Sequence, residues 1–210
     1  MGQKRRISVR ALVVAAAFAG LAGAAPAPAR PAGNEFLAAL LAGLPRQGES
    51  FACFSRQYDN AQLAAHPQQK VAFAKALIAA YYRRSSLGPG DGGYSYQVSL
   101  AFRFRDRPDM LMGVAECGEG KTPDSLKGGA YCAGPGDPGA HLGIEGRDVL
   151  VLTIPNGADL WAPGPVEKRH DTVKNPFGAD DRTFLLVRTS LSECEDLAFD
   201  RWKPLRPHEP

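Results

Sequence analysis

Histidine and cysteine are scarce, four of each in 210 residues, and neither stands in a spacing that metal or redox chemistry uses. His66, His141, His170 and His208 form no H-x-H, H-x-x-x-H or H-E-x-x-H, so a helix-borne zinc site is excluded. Without C-x-x-C there is no redox motif, and the wide cysteine spacing disfavours structural zinc, which takes closely spaced pairs. G-x-S-x-G is missing, and with it the nucleophile elbow of an α/β-hydrolase. No alternation of strand and helix runs through the chain, so nothing here builds a parallel sheet. The longest apolar stretch, residues 11–25, falls short of the about 20 residues that span a bilayer.

Basic charge is also short once its position is considered. The chain has 25 Lys+Arg against 22 Asp+Glu, but Lys4, Arg5, Arg6 and Arg10 all precede that apolar stretch, with no acid among them. The remainder is close to neutral, without the clustered basic surface of a nucleic-acid binder, so nucleic acid and anionic membrane are discounted as partners. A positive segment, an apolar run and small residues offering A-x-A cleavage (Ala22, Ala24, Ala27, Ala29) together read as a signal peptide over 1–29. The proline-broken stretch after it is no stop-transfer pattern. No cysteine stands at the cleavage region, so no lipid anchor is expected and the mature chain carries no membrane anchor. Export places the cysteines in an oxidising compartment, periplasmic or extracellular.

What remains suits one β-rich, disulfide-stapled domain over 30–202, with a disordered tail at 203–210. Phe36, Leu37, Leu40, Leu41 and Leu44 share one stripe, with Asn34 a possible N-cap, which predicts a short amphipathic helix able to cover a sheet face or barrel mouth. Over 94–105 the side chains alternate without a break. Tyr94, Tyr96, Val98, Leu100, Phe102 and Phe104 form an apolar face, and Gln97, Arg103 and Arg105 belong to a face expected in water. Residues 71–82 admit either helix or strand; the long hairpin-like loop that follows tilts the reading to strand. Short apolar runs at 110–117, 129–132, 141–145, 149–154, 159–161 and 183–188 complete the pattern of an antiparallel sandwich or barrel.

Two segments, Gly88–Gly93 and Gly134–Gly139, match G-x-G-x-x-G. A dinucleotide site needs a helix after the glycines, whereas strand-like sequence follows both, so hairpin turns explain them. No cofactor or metal is expected. Cys53, Cys117, Cys132 and Cys194 permit three connectivities. Cys117 and Cys132 end neighbouring strands around a short Gly-rich connection, so they form the simplest pair, leaving Cys53–Cys194 to tie the N-terminal region to the last strand.

Candidate binding residues gather in two places. Arg56, Tyr58, Asp59 and His66 lie in a polar, turn-rich stretch between the first helix and the sheet. There, Arg offers a fork for carboxylate or phosphate and Tyr a rigid amphipathic contact. Asp180, Asp181 and Arg182 precede the final strand, where carboxylates more often form turns.

The segments CFSRQYD, QLAAHPQQKV and DDRTFLLVR, followed by Cys194, resemble a group of small uncharacterised secreted proteins of Proteobacteria. That group carries a cysteine shortly before Y-D, then H-P-x-Q-x-V and D-D-R-x-F-x-L-x-R in the same order. The chain departs from it with Gln62 in place of histidine and without an acidic, Gly-rich stretch after the second central cysteine. The resemblance implies secretion and a strand at 71–82, and it carries no activity. The resulting expectation is a secreted or periplasmic non-catalytic binding module for a protein or cell-envelope component. The alternative is an envelope hydrolase using scattered carboxylates with His66 or His141, since acid–base catalysis needs only two well-placed groups.

Overall fold

The computed structural model describes residues 35–41, 43–44, 48–83, 93–118, 129–133, 139–163 and 172–206. The signal peptide expected at 1–29, Asn34, and most of both glycine segments lie outside those residues. Strands β1 (Glu49–Gln57), β2 (Val71–Arg83), β3 (Gly93–Phe104), β4 (Met110–Gly118), β5 (Ala130–Ala133), β6 (Ala140–Glu145), β7 (Val149–Thr153) and β10 (Thr183–Thr189) form an antiparallel meander. Pairing of β1 with β10 and of β3 with β4 completes a closed eight-stranded barrel. Short strands β8 (Leu160–Trp161) and β9 (Thr172–Val173) form an excursion between β7 and β10 that pairs back to β4 at Met112 and Trp161. Of the sandwich and barrel left open by the sequence, the barrel is the fold. Residues 71–82 are strand, within β2. Strands follow both glycine segments, so the helix a dinucleotide would need is missing from each.

An eight-stranded barrel leaves an interior about wide enough for side chains to fill, and here they fill it. Phe54, Ile78, Val98, Phe102, Leu111, Leu142, Leu150, Leu152, Phe184 and Leu186 are all buried within one cluster. Their inward positions alternate along each strand, as a period of two requires. The first barrel end, where β1 starts, takes helix α1 (Glu35–Leu40). Phe36, Leu37, Leu40 and Leu41 join the interior cluster, with Leu44 packed against it. An Arg188 Nη2 donates to the Leu40 carbonyl at 2.8 Å, fixing the helix to β10.

The second end, where β1 finishes, takes helix α2 (Asn60–Ala65) and the loop before β10. Phe177 from that loop meets Phe102 edge-on at 5.1 Å and Phe104 at 5.7 Å. The loop presses so closely on the chain before β2 that a Cβ at Gly178 would sit 1.8 Å from the Gln68 carbonyl oxygen, so only glycine fits there.

The outer surface is two-sided. Over β1 to β4 it is covered by the C-terminal segment, made of two 3-10 turns (Leu191–Leu197 and Asp200–Trp202) and the residues after them. Leu197, Ala198 and Leu205 pack there on Leu77, Ala79 and Ala101, with Met110 and Met112 alongside. Disulfide Cys53–Cys194 staples this cover to β1, while Cys117–Cys132 crosses directly between paired residues of β4 and β5. Both pairings are those expected. Lys75, buried on the outer face of β2, donates to the Glu193 carbonyl at 3.0 Å and pairs with Asp196 at 2.5 Å.

This cover corrects four expectations. Gln97 is 7 % exposed, not in water, and Ser99 and Ala101 beside it are buried too; only Arg103 and Arg105 are exposed as expected. Cys53 to Gln57 is strand rather than turn-rich; Cys53 is buried under the cover and Phe54 in the interior, so no apolar–polar alternation marks its start. Cys194 sits in a 3-10 turn after the last strand, not on it. The tail expected to be disordered from Lys203 is packed as far as Leu205, 7 % exposed, and 207–210 lie outside the described residues.

Candidate functional site

At the second barrel end β1 delivers Arg56 and Tyr58 side by side. Arg56 follows the inward parity of Phe54, and its register partner is Ala74 on β2. Tyr58 is turned inward by its N–H bond to the Ala72 carbonyl, 3.0 Å, and its ring is buried. Burial pushes the Tyr58 hydroxyl up to about 12; the Arg56 charge opposes this and the Asp181 carboxylate adds to it. The Arg56 guanidinium lies 5.1 Å from the Tyr58 ring centroid. Its Nη1 donates to the Leu185 carbonyl at 3.3 Å and its Nη2 to Gln62 Oε1 at 3.4 Å.

Asp59 works on the backbone. As N-cap of α2 it accepts from the Gln62 N–H at 2.7 Å, satisfying a donor that the helix start leaves open. Among the described residues it makes no ion pair with Arg56; its effect is to hold the backbone of the turn that carries Gln62. His66 is exposed at the C-cap, and its hydrogen bonds are backbone ones, to the Gln62 carbonyl and from the Gln69 N–H.

Asp180 and Asp181 are ties across 110 to 112 residues of sequence. Asp181 is 1 % exposed and accepts from Gly178 and Lys70 N–H, both at 2.8 Å, and from Val71 N–H at 3.2 Å. Asp180 accepts from Gln68 N–H at 3.2 Å. The Arg182 side chain is exposed, and its carbonyl accepts from Ile154. The seven candidates therefore do not converge. Arg56 and Tyr58 share one place with Gln62, Asp59 and His66 bracket α2, and the aspartates fasten the loop.

A second feature was not visible in the sequence. The exposed large apolar side chains among the described residues are Tyr131, Leu185 and Val187, at 37, 39 and 52 %, and all three lie on the outer face of β5, β6, β7 and β10. Register places Leu185 opposite Val151 and Val187 opposite Val149, both half-buried. Gly143 faces Val151 from the other side, and His141 faces Thr153 and Tyr131. The Tyr131 and His141 rings sit 5.2 Å apart. A Cβ at Gly139 would lie 2.3 Å from the Tyr131 phenol oxygen, so the bare glycine lets that ring lie flat along the sheet. The buried Nδ1 of His141 has no hydrogen-bond partner among the described residues.

Among the described residues no cluster of three or more His, Cys, Asp or Glu is placed to hold a metal, and no helix is long and apolar enough to cross a membrane. No family model, curated protein or solved structure matches the chain.

Proposed function

We propose that the protein is a secreted or periplasmic non-catalytic binding module that recognises a protein or cell-envelope component with the outer face of β10, β7, β6 and β5. One observation carries this reading. Among the described residues, the C-terminal segment packs on the outer face of β1 to β4, and the exposed large apolar residues all lie on the outer face beyond it, Leu185 and Val187 on β10 beside Val151 and Val149 and Tyr131 on β5. Scattered exposed apolar residues need no explanation, whereas contiguous ones rimmed by polar groups mark interaction surfaces. The rim here is polar: Thr153, Thr183 and His141 towards the second end, Glu145 and Asp148 towards the first. The closed barrel, stapled twice, is a rigid platform of the kind that holds such a face in one shape. Two disulfides fit an oxidising compartment, and the resemblance to secreted proteobacterial proteins belongs to the same proposal.

The acid–base alternative has less to draw on, because Asp59, Asp180 and Asp181 hold backbone amides. The test is capture from an envelope extract by immobilised oxidised protein, comparing the natural chain with Leu185→Asp and Val187→Asp. Both positions are exposed, so the thermal midpoint should hold while the captured partner is lost. Unchanged capture by both variants overturns the reading.

A further inference from the structure

We propose that Arg56, Gln62 and the Tyr58 ring form a cradle for a single carboxylate group at the second barrel end, a site separate from the outer face and independent of it. The inference starts from an unmatched charge. Arg56 is half-buried, and among the described residues it makes no ion pair. Its hydrogen bonds are two long ones to neutral oxygens, at 3.3 and 3.4 Å. A guanidinium presents five N–H donors in a rigid fork, so most of this one is uncommitted. Arg188, at the other end of the barrel, shows the contrast. It pairs with Asp148 and donates to the Leu40 and Arg147 carbonyls.

The surroundings hold the fork still without neutralising it. Tyr58 lies beneath the guanidinium plane as a cation–π partner, a contact that constrains orientation. The Asp59 cap fixes the Gln62 backbone, and the Arg56 Nη2 holds its side-chain oxygen. Its Oε1 faces Arg56, which leaves its amide nitrogen, a donor only, to address an incoming anion. A carboxylate matches this set: two coplanar oxygens, one for the fork and one shared with the amide. The ligand is therefore a carboxylate, either a small acid or the C-terminus of a peptide.

The experiment titrates acetate, acetyl-dialanine with a free C-terminus, the same peptide as its C-terminal amide, and inorganic phosphate into the oxidised protein. The Arg56 Nε–H and Gln62 side-chain amide signals are followed by NMR. Saturable shifts with acetate and the free-terminus peptide, none with the amide and weaker ones with phosphate, support the cradle. Tighter binding of the peptide than of acetate identifies a chain terminus, and equal binding a small acid. Arg56→Lys keeps the charge but loses the fork, and Gln62→Ala loses the second donor; each should weaken binding about tenfold with the thermal midpoint unchanged. Arg56→Ala should abolish it, and should that variant unfold, the other two decide. No saturable shift with either carboxylate, a preference for phosphate, or binding undiminished in Arg56→Lys and Gln62→Ala overturns the proposal.

Discussion

Replacing both cysteines of one disulfide by alanine, and then both of the other, separates covalent closure from packing. Cys53–Cys194 spans 141 residues and Cys117–Cys132 spans 15. The loop-closure entropy that each removes from the unfolded chain corresponds to about 5 and about 3 kcal/mol respectively. Three of these cysteines are buried and the fourth, Cys117, is half-buried, and each pair of substitutions deletes the same two sulfur atoms. The difference of about 2 kcal/mol between the variants therefore isolates the loop-length contribution. It is large against a total stability of about 5 to 15 kcal/mol. Urea unfolding followed by fluorescence and circular dichroism measures both. A second readout is local: without Cys53–Cys194 the C-terminal cover keeps its packing through Leu197, Ala198 and Leu205 and its polar ties from Lys75 and Ser55 to Asp196 and Glu193 but loses its covalent anchor, so trypsin should cut after Arg201 much faster. The Cys117/Cys132 variant should keep that bond protected. Equal losses of stability, or a larger loss for the short loop, would refute the assignment of the long disulfide as clamp of the cover.

Three further outcomes follow from the barrel. Leu100→Ala removes a buried interior side chain and should cost about 2 to 5 kcal/mol in denaturant unfolding. Asp181→Asn turns amide hydrogens towards N–H groups that now point at a carboxylate and should cost at least about 2 kcal/mol, with hydrogen exchange rising at Lys70 and Val71. Tyr58 should resist ionisation until about pH 12 in an ultraviolet titration. The folded chain holds that proton more tightly than the unfolded chain, whose tyrosine titrates near 10; the associated stability is full below about pH 10 and fades towards pH 12, a loss that Tyr58→Phe should remove.

Much of the fold could be read from residues that face two different environments. The run at 94–105 alternates because β3 buries one row in the barrel, and the runs from 110 to 188 are short because the strands they form have two to nine residues. Alternation disappears where the cover makes both faces apolar. In β1, Phe51 and Cys53 lie under the C-terminal segment while Ala52 and Phe54 face the interior, so the segment does not look like a half-wet strand. The same contact, formed by residues far apart in sequence, buries Gln97. Helix α2 buries one large apolar residue, Leu63, so no apolar stripe marks it in the sequence. At the candidate sites, Arg56 and Tyr58 were visible as residue types, and Gln62 joins them through one helical turn. Leu185 and Val187 stand beside the inward Phe184 and Leu186 in one unbroken apolar run, so only the barrel reveals which pair is left outside.

Site-specific photo-crosslinking tests the central claim most directly. A benzophenone side chain is placed at position 187 on the uncovered face and, in a separate protein, at position 103, which is exposed on β3. Each is irradiated in envelope extract after its thermal midpoint has been shown to match the natural chain. The expected result is a discrete adduct from position 187, reduced when Leu185→Asp is added, and none of that mass from position 103. Equal labelling from both positions, or no adduct from position 187, would contradict the assignment of this face as the recognition surface.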